Sequence, residues 1–125
     1  MNKSFTKTSE DCFKNIENFP YKVNYMNENL GLSVEYDGFK IAYIDENNNG
    51  NSGVLLFIHG HPTWSYLWRH LIPFALKNDY RVICIDLPGF GRSDKPLKKD
   101  FFNFIIYRNI ILNFIKNINL KNITM

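Results

Sequence analysis

Two short apolar runs, Val54-Leu55-Leu56-Phe57-Ile58 and Val82-Ile83-Cys84-Ile85, constrain this chain more than any other feature. Each is continuous rather than alternating and rich in branched side chains. Such a run is stable as a strand only when both of its faces are covered, as in the middle of a parallel sheet. Each run stops at residues that bend a backbone: His59-Gly60-His61-Pro62 after the first, and Asp86-Leu87-Pro88-Gly89-Phe90-Gly91 after the second. Between them, Ser65 to Leu76 carries Tyr66, Leu67, Leu71, Ile72 and Ala75 at roughly helical spacing. Val54–Ile58, this helix and Arg81–Ile85 therefore read as a strand–helix–strand unit.

The flanking segments extend that unit. Leu32–Tyr36 and Phe39–Asp45 read as two strands joined by an Asp37-Gly38 hairpin turn. Asn47 to Gly53 is a polar loop. Phe102 to Ile118 reads as a longer helix, with Phe104, Tyr107, Ile111, Ile115 and Ile118 at helical spacing, and Asn122 to Met125 begins a further strand. A hairpin followed by β-α-β-α-β predicts an α/β fold with a largely parallel sheet. Residues 1–30 are polar and irregular and are expected to form an arm lying on a core domain of residues 31–125. In sheets of this kind ligands bind beyond the carboxyl ends of the strands. Both unusual loops, "HGHPTW" and "LPGFGRSDKP", lie there.

Composition excludes several classes of function. The chain has 125 residues, 45% hydrophobic and 16% aromatic, which suits one globular domain and not a disordered one. Its net charge of +3 arises from scattered basic and acidic residues, without the basic stripe a nucleic-acid partner needs; Lys98-Lys99 reads as a solvated turn. Cys12 and Cys84 lack metal-ligand spacing, and Cys84 reads as a small core hydrophobe. Met1 to Glu10 has no apolar stretch of the signal-peptide kind, and no run is long enough to span a bilayer. The expectation is a cytoplasmic, reduced protein with no membrane partner. Asn122-Ile123-Thr124 matches a glycosylation sequon that chance explains in so Asn-rich a chain.

The stretches "FKNIENFPYKVNYM", "IHGHPTWSYLWRHLIPF", "RVICIDLPGFGRSDKP" and "YRNIILNFIKNINLKNITM" resemble, in order, the α/β-hydrolases, and specifically the haloalkane dehalogenases. The resemblance implies that the chain is the N-terminal part of that fold. The strand starting at Asn122 would continue into the nucleophile elbow, and the nucleophile, the acid, the catalytic histidine and the cap would lie further on. It also implies a role for His61. Its backbone N–H would be half of an oxyanion hole, the other half coming from the residue after the nucleophile. His59, Gly60, Pro62 and Trp64 would support that loop, His59 by bonding loop backbone and Pro62 through a cis bond. The His61 side chain departs from the Glu or Asn common in similar dehalogenases. It is either a further N–H donor to a departing halide or a partly solvated rim histidine. Trp64 and Trp68 are expected in the core and His70 exposed. Asp86 is expected in a hydrogen-bonded scaffold, because no strand–elbow–helix pattern surrounds it. The glycines near it have neither nucleotide-binding spacing.

The function implied is hydrolysis of carbon–halogen bonds through an alkyl-enzyme ester, without metal or organic cofactor, on a small apolar haloalkane. Epoxide hydrolase or serine esterase is the alternative within the fold. A non-catalytic relic, or a half-domain that binds a complementing C-terminal half, is the alternative outside it. By itself the 125-residue chain is expected to be inactive. It is also expected to be poorly soluble, because a strand only four residues long leaves most of the Val54–Ile58 edge uncovered.

Overall fold

The structure, a computed structural model, describes residues 3–125, so the first two residues of the expected arm lie outside it. Among the described residues the strands are β1 (Phe5–Thr6), β2 (Asn24–Met26), β3 (Ile41–Glu46), β4 (Val54–Ile58), β5 (Arg81–Ile85), β6 (Lys95–Pro96) and β7 (Ile123–Thr124); the α-helices are α1 (Leu71–Lys77) and α2 (Phe104–Asn117). Five strands form the main sheet in the order β2-β3-β5-β4-β7, and β1 pairs with β6 as a separate two-stranded ribbon.

The two apolar runs lie side by side at the centre. β4 and β5 are parallel, in register from Val54↔Arg81 to Ile58↔Ile85. Both faces of β5 are covered. Ile83 and Ile85 pack with Phe39, Ile41, Leu56, Ile110 and Phe114 on one side. Val82 and Cys84 pack with Phe19, Ile44, Ile72 and Ala75 on the other. That alternation is the period-two geometry of a strand, and it explains why neither run could alternate with polar residues. The molecule is thus three layers, with α2 on one face and α1 on the other.

The sheet is mixed, where a largely parallel one was expected. β3 runs antiparallel to both β5 and β2. The expected hairpin is absent. Val34–Tyr36 is a 3-10 turn, and Phe39 N donates to Tyr36 O at 2.9 Å, which brings Tyr36 and Phe39 together into the core. The partner of β3 is instead β2, from within the expected arm. Phe19 and Leu30 of the same segment are also buried. The carboxylate of Asp45 in β3 takes two bonds from Arg81 of β5, Nε to Oδ1 at 2.9 Å and Nη2 to Oδ2 at 2.7 Å.

The expected helix over Ser65–Leu76 divides into a 3-10 turn, Ser65–Trp68, and α1. Pro73 is the reason. It has no N–H for the Arg69 carbonyl, and its ring would strike that carbonyl in a continuous α-helix, so the helix restarts with Pro73 in its first turn. α2 begins two residues later than expected because Asn103 caps it, Oδ1 accepting from Ile106 N at 3.0 Å. Its buried stripe runs through Ile110 and Phe114, and Phe104 is 77% exposed instead of core.

β7 pairs in parallel with β4, Val54↔Ile123 and Leu55↔Thr124, as the reading of Asn122 onward required. Among the described residues no strand flanks Leu56–Ile58 on that side. No helix of the described residues is long and apolar enough to cross a membrane.

Candidate functional site

The ends of β4 and β5 open into the two Gly-rich loops, and one buried carboxylate ties those loops together. Asp86 follows β5 directly and is 2% exposed. Its Oδ1 accepts from Ser65 N at 2.8 Å, across to the first loop, and its Oδ2 accepts from Arg92 N at 3.0 Å, within its own. Gly91 has to be glycine here. Its φ is +51°, and a Cβ would run into the Asp86 carboxylate and lie 2.8 Å from the Trp64 Cβ. This agrees with the scaffold role expected for Asp86, whose oxygens both face backbone N–H groups.

Ser93, fully buried, extends the scaffold. Its Oγ accepts from Ala42 N at 2.8 Å and donates to Asp86 O. Asp94 Oδ2 accepts from Lys40 N at 2.9 Å. Burial pushes the Asp94 carboxyl above its ordinary range. Burial likewise holds the Lys95 ammonium low, although it donates to Ser93 O at 2.6 Å and to Gly91 O.

His59 is also part of the scaffold. Its Nε2 accepts from Leu87 N at 2.9 Å, so the ring proton sits on Nδ1, which faces Gly60 O at 2.9 Å. Both ring nitrogens are occupied by backbone, and the ring is 3% exposed. The carbonyl of Gly60 further accepts from Thr63 N at 3.1 Å and Thr63 Oγ1 at 2.7 Å, closing a tight turn. The His61–Pro62 peptide within that turn is cis.

A cleft of about 410 Å³ lies where the loops meet the start of α2. It is lined by His59, Gly60 and His61 from the first loop, Leu87 and Phe90 from the second, and Phe102, Asn103, Phe104 and Tyr107. Phe90 stands between the two imidazoles, edge-to-face with each, at 5.5 Å from His59 and 5.2 Å from His61. His61 is exposed at the rim, and among the described residues its backbone N–H meets no acceptor. Tyr107 donates to Pro88 O at 2.7 Å, and burial pushes its phenol up to about 12.

Of the residues singled out in sequence, His59, Gly60 and His61 come together at this cleft. Pro62 is exposed and lines no part of it. Trp64 faces away, into a cluster with Phe13, Phe19 and Tyr66 on which the Arg92 guanidinium rests, 5.3 Å from the Trp64 ring. Trp68 stacks on Phe57 at 5.0 Å, and His70 is exposed. Phe90, Phe102, Phe104 and Tyr107 were not recognised from sequence as cleft residues. Their signal was present in an aromatic held between two glycines and in an aromatic cluster at a helix start.

Comparison with known proteins bears on the fold and the family. Residues 53–125 match the family model described as alpha/beta hydrolase fold. A curated haloalkane dehalogenase from Psychrobacter cryohalolentis is 33% identical over 119 residues, which is 95% of this chain and 38% of that protein. Among solved structures, the haloalkane dehalogenase DpaA from Paraglaciecola agarilytica NO2 superposes with a TM-score of 0.89 at 40% identity, covering 96% of this chain and 39% of that one. An epoxide hydrolase from Bacillus megaterium gives 0.61 at 28%, covering 78% and 30%. The chain therefore spans under two fifths of the length of the proteins it matches.

Proposed function

This chain belongs to the alpha/beta hydrolase fold family, and from that premise we propose that it supplies the oxyanion side and one apolar wall of an active site that hydrolyses carbon–halogen bonds. The observation that carries the reading is the His61 N–H, without an acceptor among the described residues, in a bend held by Asp86 and His59 at the mouth of an apolar cleft. The similarity to two haloalkane dehalogenases supports the choice of substrate class.

The reaction proposed has two steps. A carboxylate attacks the carbon bearing the halogen; a C–O bond forms as the carbon–halogen bond breaks, and halide leaves. Water, giving its proton to an imidazole, then attacks the carbonyl of the resulting ester. The negative oxygen so formed is held by the His61 N–H and a second donor, and its collapse frees the alcohol. One such donor lowers the barrier by roughly 3–4 kcal/mol. Leu87, Phe90, Phe102 and Phe104 give an alkyl group an apolar surface to lie on.

The resemblance to haloalkane dehalogenases implies that the carboxylate and the base of this scheme lie outside these 125 residues. In keeping with that, Asp86 is committed to two backbone N–H groups and His59 to two backbone partners. In this proposal the isolated chain lacks activity, and a complementing C-terminal segment is its partner.

The test joins the 125 residues to the segment of the Psychrobacter protein that has no counterpart here. Halide release from 1-bromobutane, hydrolysis of an aryl acetate and opening of styrene oxide are followed for the hybrid and for the chain alone. Halide release by the folded hybrid only is expected. Release by the chain alone would place the nucleophile within it. Ester or epoxide turnover without halide release would move the assignment to the alternative hydrolases. A folded hybrid inert toward all three would leave a binding role.

A further inference from the structure

At the other end of the sheet from the cleft, the loop joining β3 to β4 contains Asn49-Gly50. This pair has its own chemistry. With no Cβ on glycine to block it, the Gly50 backbone nitrogen can attack the Asn49 side-chain carbonyl. A C–N bond forms, the bond to the side-chain nitrogen breaks, and ammonia leaves a cyclic imide. Solvent water then opens the imide to Asp or iso-Asp. The net change is gain of water and loss of ammonia, with no other reactant.

The fold arranges this pair unusually. Asn49 is exposed, and its side chain is open to solvent. Gly50 is partly buried and tied down. Its N–H donates to Asn47 O at 2.9 Å. The place a Cβ would occupy lies 2.7 Å from both Arg81 N and Asp79 O, and 2.8 Å from Asn47 Nδ2. Asp79 clamps both sides of the pair. Its Oδ1 accepts from Asn47 Nδ2 at 3.3 Å, and its Oδ2 accepts from Asn51 N at 3.2 Å and Asn51 Nδ2 at 3.1 Å. Its carbonyl accepts from Ser52 N at 3.0 Å. Ring closure needs the Gly50 nitrogen stripped of its bond and turned toward Asn49, which this seat forbids.

We propose that Asn49–Gly50 is a deamidation site gated by opening of the Asp79-clamped loop. Modification proceeds only from the opened loop. The iso-Asp product resists closing again, because it lengthens the backbone leading into the tight Gly50 seat. The reaction is thus a ratchet that converts transient opening of the β3–β4 loop into permanent loosening there.

The experiment uses the whole 125-residue chain. Ammonia loss at Asn49 is followed by peptide mass spectrometry, in native buffer and in guanidinium chloride at the same pH, with circular dichroism reporting the fold. The native rate is expected to be at least about tenfold slower than the denatured rate, as for any reaction that waits on local opening. Asp79→Asn removes the carboxylate but keeps a residue tolerant of the positive φ found there, +60°. It is expected to accelerate the native rate several-fold and leave the denatured rate unchanged. Equal native and denatured rates would overturn the proposal. So would a native rate unchanged in a folded Asp79→Asn chain, or no reaction at Asn49 in denaturant.

Discussion

Replacing Asp86 by alanine isolates the interaction that ties the two loops together. The substitution removes the only acceptors that the Ser65 and Arg92 backbone N–H groups have among the described residues, at 2.8 and 3.0 Å. Ser65 is 2% exposed, so its N–H is left without water as well as without a partner; Arg92 is only half-buried and recovers some solvation. A buried donor left unsatisfied costs ~1–3 kcal/mol, so the pair together costs ~2–4 kcal/mol once the partial exposure of Arg92 is discounted. That is a large part of the ~5–15 kcal/mol that holds a domain folded. Asp86→Asn keeps the shape and one acceptor, and is expected to lose about half as much. Urea unfolding followed by tryptophan fluorescence measures both, with a midpoint order of wild type, Asn, Ala. Amide exchange at Ser65 and Arg92 should accelerate ahead of exchange in β5. An Asp86→Ala midpoint equal to wild type, or a loss confined to β5, would refute the clamp.

Gly91→Ala is expected to lower stability by ~1–3 kcal/mol, because the added methyl meets the Asp86 carboxylate and Trp64 at a φ of +51°; an unchanged urea midpoint would contradict the packing described. Burial raises the Tyr107 phenol from 10.0 to about 12, so the folded state favours the neutral form. Its stabilising contribution is intact below about pH 10 and disappears as pH climbs toward 12, and Tyr107→Phe should flatten that alkaline decline in a urea–pH series. The bonds of His59 require its proton on Nδ1, so a two-bond proton–nitrogen spectrum should show an unprotonated Nε2; the opposite tautomer would undo the scaffold role.

Sequence reading was strongest where a segment's fate depended on its own composition. Val54–Ile58 and Arg81–Ile85 were visible as buried parallel strands because no other setting covers a continuous apolar run on both faces. The body of α2 was visible because its apolar spacing matches the helical repeat. The cleft's first wall was visible in His59-Gly60-His61, since strand ends in such sheets are where backbone is presented to ligands. Failures came where local signals competed. Asp37-Gly38 favours a hairpin, yet burying Tyr36 and Phe39 on the core outweighs pairing Leu32–Tyr36 with β3. Pro73 divides a helix whose apolar spacing looked continuous.

By itself, then, the sequence determined β4, β5, the body of α2 and their order, because helical and strand periods are short-range properties written in adjacent residues. The tertiary structure alone decided who meets whom. It placed β2, from a polar segment, on the edge of β3. It joined Ser65 to Asp86 across 21 positions, and it set Phe90 between His59 and His61. Those contacts follow from how two loops converge once the sheet has formed, and no spacing along the chain encodes a distance that exists only after folding.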